Sequence, residues 1–493
     1  MILSAPIQEQ VNNANTHGVI VTRTATLVLT IKRFPSRLLP SVGLWIALAH
    51  SAGLAQTTPA PLKLDAAVAL AESNYPAIRT ARAQAGATAA GIDLARTAYA
   101  PRLDLLWQEN RASVNNIFGT TLPQGILPSI TGPVLGTKSF ASTFGTATGA
   151  LFSWEPFDFG YRKANVEIAR SQTRQAEAAT EVTRLDVESS AADQFLALVA
   201  AQESVRAAEA NVVRAQVFAD SVHVLITNQL RAGADGARAD AELSAAKNLF
   251  NRAQQTAELN RAALAEALGE PGASLTIDPG PLLEMPRDLT VPPLNLDSHP
   301  VVLAQQATID IFKSREHALD RTYFPKFNLQ SALYARGSGA LTIGGFQGGL
   351  HGLYPTTPNF AVGMTVTFPA FDIFGIRARR KIEKGNEGVE QARLDQVLQG
   401  LKGQYARAAA LLDGALKIAQ ETPNQLSAAQ SAERLTTERY KYGLATVTEV
   451  ADAQRLLAQA EIDNATARLN VWRALLAAAR LQGDLKPFLQ RAK

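Results

Sequence analysis

The stretch "FPAFDIFGIRARRKIEK", residues 368–384, repeats a turn already made by "WEPFDFGYRKANVEIAR", residues 154–170. Each stretch begins with aromatic and apolar residues typical of a strand and turns at a short Phe-Asp motif. Each then continues as a charged segment with helical spacing. The candidate turn residues are Asp158, Gly160, Asp372 and Gly375. We interpret them as structural, because a carboxylate just before a helix accepts hydrogen bonds from free N–H groups.

A second repeated spacing lies upstream of each turn and indicates an internal duplication. Pro76 and Pro101 are 25 residues apart, as are Pro300 and Pro325. Each pair brackets a segment with helical spacing that stops at an aromatic-X-Pro motif. Proline ends a helix because it lacks an N–H group and crowds the preceding turn. Alternating apolar and polar residues follow each second proline and predict a strand.

The chain is therefore predicted to hold two copies of one unit: helix, two strands, very long helix and returning helix. Residues 56–277 form the first repeat, 278–297 a proline-rich linker, 298–486 the second repeat and 487–493 a C-terminal tail. The elements of the first repeat are predicted at about 64–98 (helix), 102–114 and 140–152 (strands), and 160–231 and 237–268 (helices). Those of the second are predicted at about 299–322 (helix), 326–336 and 359–369 (strands), and 375–441 and 446–482 (helices).

Residues 1–55 resemble a signal peptide or leader. Lys32, Arg33 and Arg37 precede an apolar stretch, and small residues before Ala55 suit cleavage after that residue. The alternative is a short membrane anchor, but the apolar run 38–49 is shorter than the roughly 20 residues that span a bilayer. We therefore expect export, which leaves the periplasm, the medium or an outer-membrane β-barrel as destinations.

Composition argues against several functional classes. The formal net charge is +4, and the first 55 residues supply +3 of it, so the rest gives little reason to expect a nucleic-acid partner. The chain has no cysteine, which excludes disulfides, thiolate nucleophiles and cysteine metal sites. The six histidines are scattered, and no catalytic or phosphate-binding motif is present. We predict no enzyme activity, no cofactor and no metal site.

The helices and strands together predict an assembly of several chains. The segments before the turns at Gly233 and Gly443 are about 70 residues long, or about 105 Å as helices. The returning helices carry alanine-rich seams typical of coiled coils. Four strands cannot close a membrane barrel, and open sheet edges are not tolerated in lipid. Three copies would supply twelve strands, which lies within the known range.

The order of elements, the repeated Phe-Asp-Gly turn and "ERYKYGLATVTEVADAQRLLAQAE", residues 438–461, resemble the TolC-like outer-membrane efflux (outer membrane factor) family. The resemblance implies a mixed α and β membrane protein in the outer membrane with a periplasmic extension. It implies a homotrimer whose 12-stranded β-barrel contacts outer-membrane lipid and continues as a periplasmic α-helical barrel. It also implies passive export of substrates received from an inner-membrane transporter and a periplasmic adaptor protein. The alternative is a periplasmic coiled-coil adaptor or structural protein without a pore.

The resemblance also places a pore entrance at the helix-to-helix turns. Glu449 and Asp452 match acidic positions at the pore entrance, and their spacing of three puts both on one helix face. Three copies would converge six carboxylates and favour cations. The alternative is that both acids only complement the helix dipole. Tyr440 matches a gate-associated tyrosine, whereas Ala445 replaces an arginine of well-described relatives.

A second departure lies in the first turn, where Arg238-Ala239 stand in place of Thr-Asp in such relatives. The constraints that close the gate should therefore differ in this chain. The long glycine- and proline-rich loops at about 115–138 and 337–358 are predicted to lie on the extracellular side, because loops of this length are exposed or functional.

Overall fold

The fold is described from a computed structural model, which covers residues 61–113, 140–291, 293–339, 341 and 347–493. The proposed leader and the loop at about 115–138 lie outside the described residues. The loop at about 337–358 is described in part. Among the described residues, no helix combines the length and the apolar character needed to cross a bilayer.

The described chain contains eight α-helices, four strands and one short 3-10 helix. The first half contains α1 (Leu64–Asn74), α2 (Pro76–Thr97), β1 (Arg102–Ser113), β2 (Ser142–Phe157), α3 (Tyr161–Thr227) and α4 (Gly233–Ala267). The 3-10 helix (Gly280–Leu283) follows within the proline-rich linker. The second half contains α5 (Pro300–Arg321), β3 (Lys326–Ser338), β4 (Thr357–Thr367), α6 (Ile373–Lys441), α7 (Val447–Leu481) and α8 (Lys486–Arg491).

Several predicted boundaries are corrected. The helix predicted at 64–98 is two helices, because Tyr75 is extended (φ −66°, ψ 126°) immediately before Pro76. Strand β2 continues to Phe157 rather than ending near 152, so it runs directly into the turn. The tail predicted at 487–493 contains most of the short helix α8, whose Phe488 is buried against Trp472.

The four strands form one antiparallel sheet in the order β1-β2-β3-β4, so β1 and β4 are its edges. The strand registers place one set of side chains on a common face. Its large, exposed apolar members are Leu103, Leu105, Trp107, Trp154, Leu333, Phe360, Val362, Met364 and Val366. The opposite face carries polar residues such as Asp104, Gln330 and Thr365. A sheet with an apolar exposed face suits contact with lipid.

The two long helices are not covered equally. Helix α3 has 67 residues, of which 24 are buried, and it contacts α1, α2, α4, α5 and α7. Helix α6 has 69 residues, of which only 10 are buried, and its main contacts are with α5 and α7. One side of α6 therefore lacks a partner within the described chain.

The main core lies midway along the helices and anchors the linker. Trp472 of α7 is buried, and its Nε1 donates a hydrogen bond to the carbonyl of Glu284 at 2.9 Å. Arg468 donates to the carbonyl of Leu283 at 3.1 Å. These bonds satisfy backbone acceptors that the irregular linker leaves without regular partners. These hydrogen bonds thus fix the linker against α7.

Candidate functional site

The two helix-to-helix connections form the candidate site, which we call the hairpin tip (residues 228–232 and 442–446). In each connection one residue adopts a left-handed conformation: Gln229 (φ 58°) in the first and Gly443 (φ 73°) in the second. The predicted turn residue Gly233 is instead the first residue of α4, so it follows the turn. Glycine suits the left-handed region because it has no Cβ, whereas Gln229 adopts it at some cost.

Tyr440, the predicted gate tyrosine, lies in the last turn of α6 beside the hairpin tip. It is 2% exposed, and its ring meets the ring of Phe218 edge-on at 5.2 Å between centroids. Burial raises the pKa of its phenol. Its hydroxyl is buried and has no hydrogen-bond partner among the described residues. Tyr440 therefore joins α6 to α3 mainly through packing rather than through its hydroxyl.

Arg231 connects the two turns directly. Its guanidinium lies 4.6 Å from the centroid of the Tyr440 ring, and its Nη2 donates to the Tyr440 carbonyl at 3.2 Å. A cation over an aromatic face is attracted by the ring quadrupole, and a charged donor strengthens the hydrogen bond. The sequence prediction did not include Arg231. Arg231 lies in the first turn, two residues before Gly233, and this position carries no sequence signal for the contact.

Glu449 and Asp452 are both exposed, but both also have partners within the chain. Glu449 forms a capping box with Thr446: its Oε2 accepts from the Thr446 N–H at 2.6 Å, and its own N–H donates to the Thr446 hydroxyl at 3.3 Å. The hydrogen bond from the Thr446 backbone holds the pKa of Glu449 below its usual range. Glu449 thus stabilises the start of α7, as the helix-dipole alternative expects.

Asp452 lies beside a cation. The Nη1 of Arg455 is 3.6 Å from its carboxylate, and the Nε of the same arginine donates to Glu242 of α4 at 3.1 Å. Arg455 therefore links α7 to α4 and partly offsets the negative charge at this point. The two acids lie on the exposed side of α7, opposite buried Val447 and Val450.

The two departures from well-described relatives fall on differently packed positions. Ala445 is 6% exposed within the apolar cluster around Tyr440, so an arginine side chain has no room there in this conformation. In the first turn region, Arg238 is exposed and Ala239 is buried in the same cluster. The hairpin tip is therefore held by apolar packing and by Arg231 rather than by a charged residue at 445.

The two strand-to-helix turns differ although their sequences are similar. Asp158 is buried and accepts from the N–H of Gly160 at 3.1 Å and from the N–H of Arg162 at 2.6 Å. Gly160 is the N-cap residue (φ 88°). Asp372 is exposed and makes no capping hydrogen bond, and Gly375 lies inside α6 rather than in the turn. The two turns therefore share a position in the fold but not a capping scheme.

The sequence matches the profile of the family described as outer membrane efflux protein over residues 67–270 and 291–484. These segments cover most of the chain. The chain belongs to the outer membrane efflux protein family. The predicted resemblance is thereby confirmed, as is the location in the outer membrane with a periplasmic extension.

Solved structures of outer-membrane channels share this fold. CusC matches with a TM-score of 0.70 and 16% identity, covering 86% of this chain and 92% of that chain. VceC of Vibrio cholerae matches with a TM-score of 0.66 and 17% identity, covering 86% and 97%. CmeC of Campylobacter jejuni matches with a TM-score of 0.66 and 14% identity, covering 87% and 89%. At these identities the likeness shows the fold alone. Among curated proteins, no sequence match is found.

Family membership assigns the chain to transport channels rather than to enzymes. It also argues against the alternative of an adaptor or structural protein without a pore. In the described part of the chain, no group of three or more histidine, aspartate or glutamate side chains could hold a metal ion.

Proposed function

We propose that three copies of this outer membrane efflux protein form the exit duct of a tripartite efflux or secretion system. A periplasmic adaptor and an inner-membrane transporter would deliver the substrate, which passes through the duct without chemical change. The observation that supports this proposal most is the open sheet with its apolar face, joined to helices of 67 and 69 residues. Helices of that length extend about 100 Å from the membrane.

The two open edges of the sheet support the proposed trimer. The edges β1 and β4 carry unpaired backbone groups, which are costly in lipid. Joining β4 of one copy to β1 of the next removes both edges, and three copies give a twelve-stranded barrel. The polar face of the sheet would then line the pore, and the apolar face would contact outer-membrane lipid.

The uncovered side of α6 supports the same assembly. It carries exposed apolar side chains along much of its length, which water would not favour on an isolated surface. These residues are Ile382, Val389, Leu411, Ile418 and Leu435. A neighbouring copy packed along α6 would bury them and continue the helices into a closed ring.

The assembly and the channel can be tested together. We expect the protein extracted from outer membranes in detergent to have the mass of three chains, measured by light scattering or native mass spectrometry. The same preparation in planar lipid bilayers should show discrete conductance steps. A stable monomer with no conductance would contradict both the trimer and the channel.

We further propose that Glu449 and Asp452 form acidic rings at the periplasmic entrance. Both carboxylates are exposed on one side of α7, and three copies would bring six of them together. Converging like charges raise the negative potential, and a narrow throat weakens its screening. The hydrogen bond from the Thr446 backbone lowers the pKa of Glu449, which favours the charged form of that carboxylate.

We expect the wild-type channel to favour potassium over chloride and to be blocked by trivalent cations added on the periplasmic side. Glu449→Ala/Asp452→Ala should reduce both effects several-fold, because six negative charges leave the entrance. The measurement is the reversal potential and the blocking concentration in planar bilayers. The matched control is Asp413→Ala, an exposed acid of α6 about 40 Å from the turn. Unchanged selectivity and block in the double variant would leave the two acids with their helix-stabilising role alone.

The extracellular position of the long loops can be tested by labelling. The chain has no cysteine, so a single introduced thiol reports one position. Gly348 is exposed, and a Cβ added there meets no atom within 4 Å. We expect Gly348→Cys to react in intact cells with an impermeant maleimide, whereas Gly443→Cys at the hairpin tip should react only after the outer membrane is disrupted. The reverse pattern would mean that the orientation is inverted.

A further inference from the structure

A cavity of about 540 Å³ opens between helices α3, α6 and α7, far from the hairpin tip. The charged residues that line it are three arginines, Arg407, Arg473 and Arg480, and one acid, Asp193. The other lining residues are uncharged, and none of them comes from the linker. We call this place the arginine cavity. Its positive charge contrasts with the acids proposed for the periplasmic entrance.

Arg407 is the cation of the arginine cavity that has no acidic partner. It is exposed on α6, and within the described part of the chain it forms no hydrogen bond or ion pair. The residues seven positions before and after it are Gly400 and Gly414, and a Cβ added at either would meet no atom within 4 Å. Residues seven apart in a coiled-coil helix share a face. The face of α6 around Arg407 is therefore open, and its guanidinium can bind an anion from solution.

The other two arginines are positioned by acids of α3 and still have donors available. Arg473 donates through Nε and Nη2 to the Asp193 carboxylate, at 3.0 and 3.3 Å. Arg480 donates through Nη2 to Asp186 at 2.8 Å. Each nitrogen of a guanidinium carries N–H donors, so Nη1 of both arginines can serve a further acceptor. Both pairs are 40–56% exposed and contribute little, so the guanidiniums can turn towards an incoming anion.

The two arginines of α7 share a helix face with Asp452, the acid proposed for the entrance. Buried residues of α7 recur every seven positions, as in a coiled coil: Ala453, Ala460, Ala467, Ala474 and Leu481. The positions just before these also share one face, and they include Asp452, Arg473 and Arg480. The arginines lie 21 and 28 residues beyond Asp452, or about 31 and 42 Å along the helix. The charge on this face therefore changes from negative to positive with distance from the tip.

We infer that the arginine cavity is a binding site for small organic anions inside the duct. Arginine forms paired hydrogen bonds with carboxylate and phosphate groups, and several guanidiniums suit a molecule with two or more such groups. Three copies would repeat the site around the duct at one level. That the cavity faces the duct rests on the proposed function, because it follows from the pore-facing position of Asp452. The capacity to bind an anion rests on the cavity itself.

The apolar part of the lining indicates an organic anion rather than an inorganic one. Leu411 and Leu476 line the cavity beside the arginines, and Leu411 is 62% exposed. Ligand sites combine apolar walls with a few polar groups that fix the orientation of the ligand. The volume also lies within the range of small-molecule sites. The ligand class is thus a small molecule with an apolar body and at least two carboxylate or phosphate groups.

The test uses trimesate, an aromatic ring with three carboxylates, and its uncharged triamide as the control ligand. We expect the full-length protein in detergent at low salt to bind trimesate saturably in titration calorimetry and not to bind the triamide. Arg407→Gln should weaken binding about tenfold, because the free guanidinium is lost. Arg473→Gln/Asp193→Asn should also weaken it, and this variant removes the cation together with its acid. Arg407 is exposed and unpaired, so Arg407→Gln should keep the wild-type unfolding temperature.

Arg434→Gln is the matched control variant. Arg434 is another exposed arginine of α6 that forms no hydrogen bond or ion pair with the described residues. It lies 27 residues from Arg407, or about 40 Å along the helix, so its loss changes the net charge equally but leaves the cavity intact. Trimesate should bind this variant as it binds the wild type. Equal weakening by Arg407→Gln and Arg434→Gln would show general charge attraction and overturn the site.

Planar bilayer recordings separate this inference from the proposed function. Trimesate should reduce the conductance of the wild-type channel, and Arg407→Gln should relieve this block. A conducting trimer that neither binds trimesate nor is blocked by it overturns the site and leaves the proposed function intact. Binding that depends on Arg407, without block of a conducting channel, overturns the position of the cavity in the duct. A monomer without conductance overturns the proposed function, and calorimetry then still decides whether the cavity binds the anion.

Discussion

Replacing Asp158 by alanine is expected to destabilise the protein by about 3–5 kcal/mol, the usual cost of leaving a buried charge without its partner. The side chains of Asp158 and Arg162 are 10% and 7% exposed and lie 2.9 Å apart. Arg162 also donates to the Ala98 carbonyl at 3.2 Å and lies over the Tyr99 ring. Removal of the Asp158 carboxylate would therefore weaken the junction between α2, β1 and α3. The measurement is the free energy of unfolding from denaturant titration in detergent.

The duplication supplies a matched control in Asp372→Ala. Asp372 occupies the same position in the second turn, but it is exposed and makes no capping hydrogen bond. Its replacement should change the free energy of unfolding of a single chain by less than about 0.5 kcal/mol. Equal losses in the free energy of unfolding for the two variants would show that burying the Asp158–Arg162 pair adds no stability.

The same pair predicts a pH dependence. Burial alone would raise the pKa of Asp158, but hydrogen bonds from the backbone and side chain of Arg162 and from Gly160 outweigh it and hold the pKa below its ordinary value of 3.8. The carboxylate is thus favoured in the folded state. Its contribution to stability is complete above the unfolded-state pKa and is lost as pH falls through the lower folded-state value. The free energy of unfolding of Asp158→Ala should therefore fall less steeply at low pH than that of the wild type.

The order of the elements could be predicted because local chemistry marks each boundary. Pro76, Pro101, Pro300 and Pro325 delimit α2 and α5. Period-two alternation after the prolines identifies β1 and β3, and sustained helical spacing identifies α3 and α6. The break between α1 and α2 was missed because proline is accepted at the first position of a helix, so the segments before and after it both look helical.

The difference between the two turns could not be predicted from the motifs. Aligning Gly160 with Gly375 pairs Arg162 with Arg377 and suggests two equivalent turns. The structure aligns Asp158 with Asp372, which shifts the register by one residue and pairs Arg162 with Ile376. The extra residue in "FDIFG" lies at the start of α6. The residue that corresponds to buried Arg162 can therefore be identified only from the backbone.

The sequence motif located the hairpin tip, but it did not predict the contact between Arg231 and Tyr440 that joins the two hairpins. Glu449 and Asp452 are close in sequence to the recognised glycine, so local spacing places them on one helix face. The contact between Arg231 and Tyr440 joins residues 209 positions apart, and it depends on how two separate hairpins pack. A lone arginine in a turn carries no sequence signal for such a contact.

Replacing Arg231 by alanine is expected to give the largest functional change: a several-fold rise in the conductance or open probability of the channel. The substitution removes the charged hydrogen bond to the Tyr440 carbonyl and the contact with its ring, together worth about 2 kcal/mol per subunit. That free energy corresponds to about a 30-fold change in the equilibrium between joined and separated turns. Since the turns form the proposed periplasmic entrance, separating them should widen it. The measurement is single-channel recording in planar bilayers.

Tyr440→Phe is the matched control, because it keeps the ring and the backbone carbonyl that Arg231 contacts. It removes only a buried hydroxyl without a partner among the described residues, so stability should be unchanged or higher by about 1 kcal/mol. Conductance should match the wild type. If Tyr440→Phe opens the channel as much as Arg231→Ala does, the hydroxyl is needed to hold the turns together as well as the arginine. If neither variant changes conductance, the two turns are held by the apolar cluster around Tyr440, which the smaller changes leave intact.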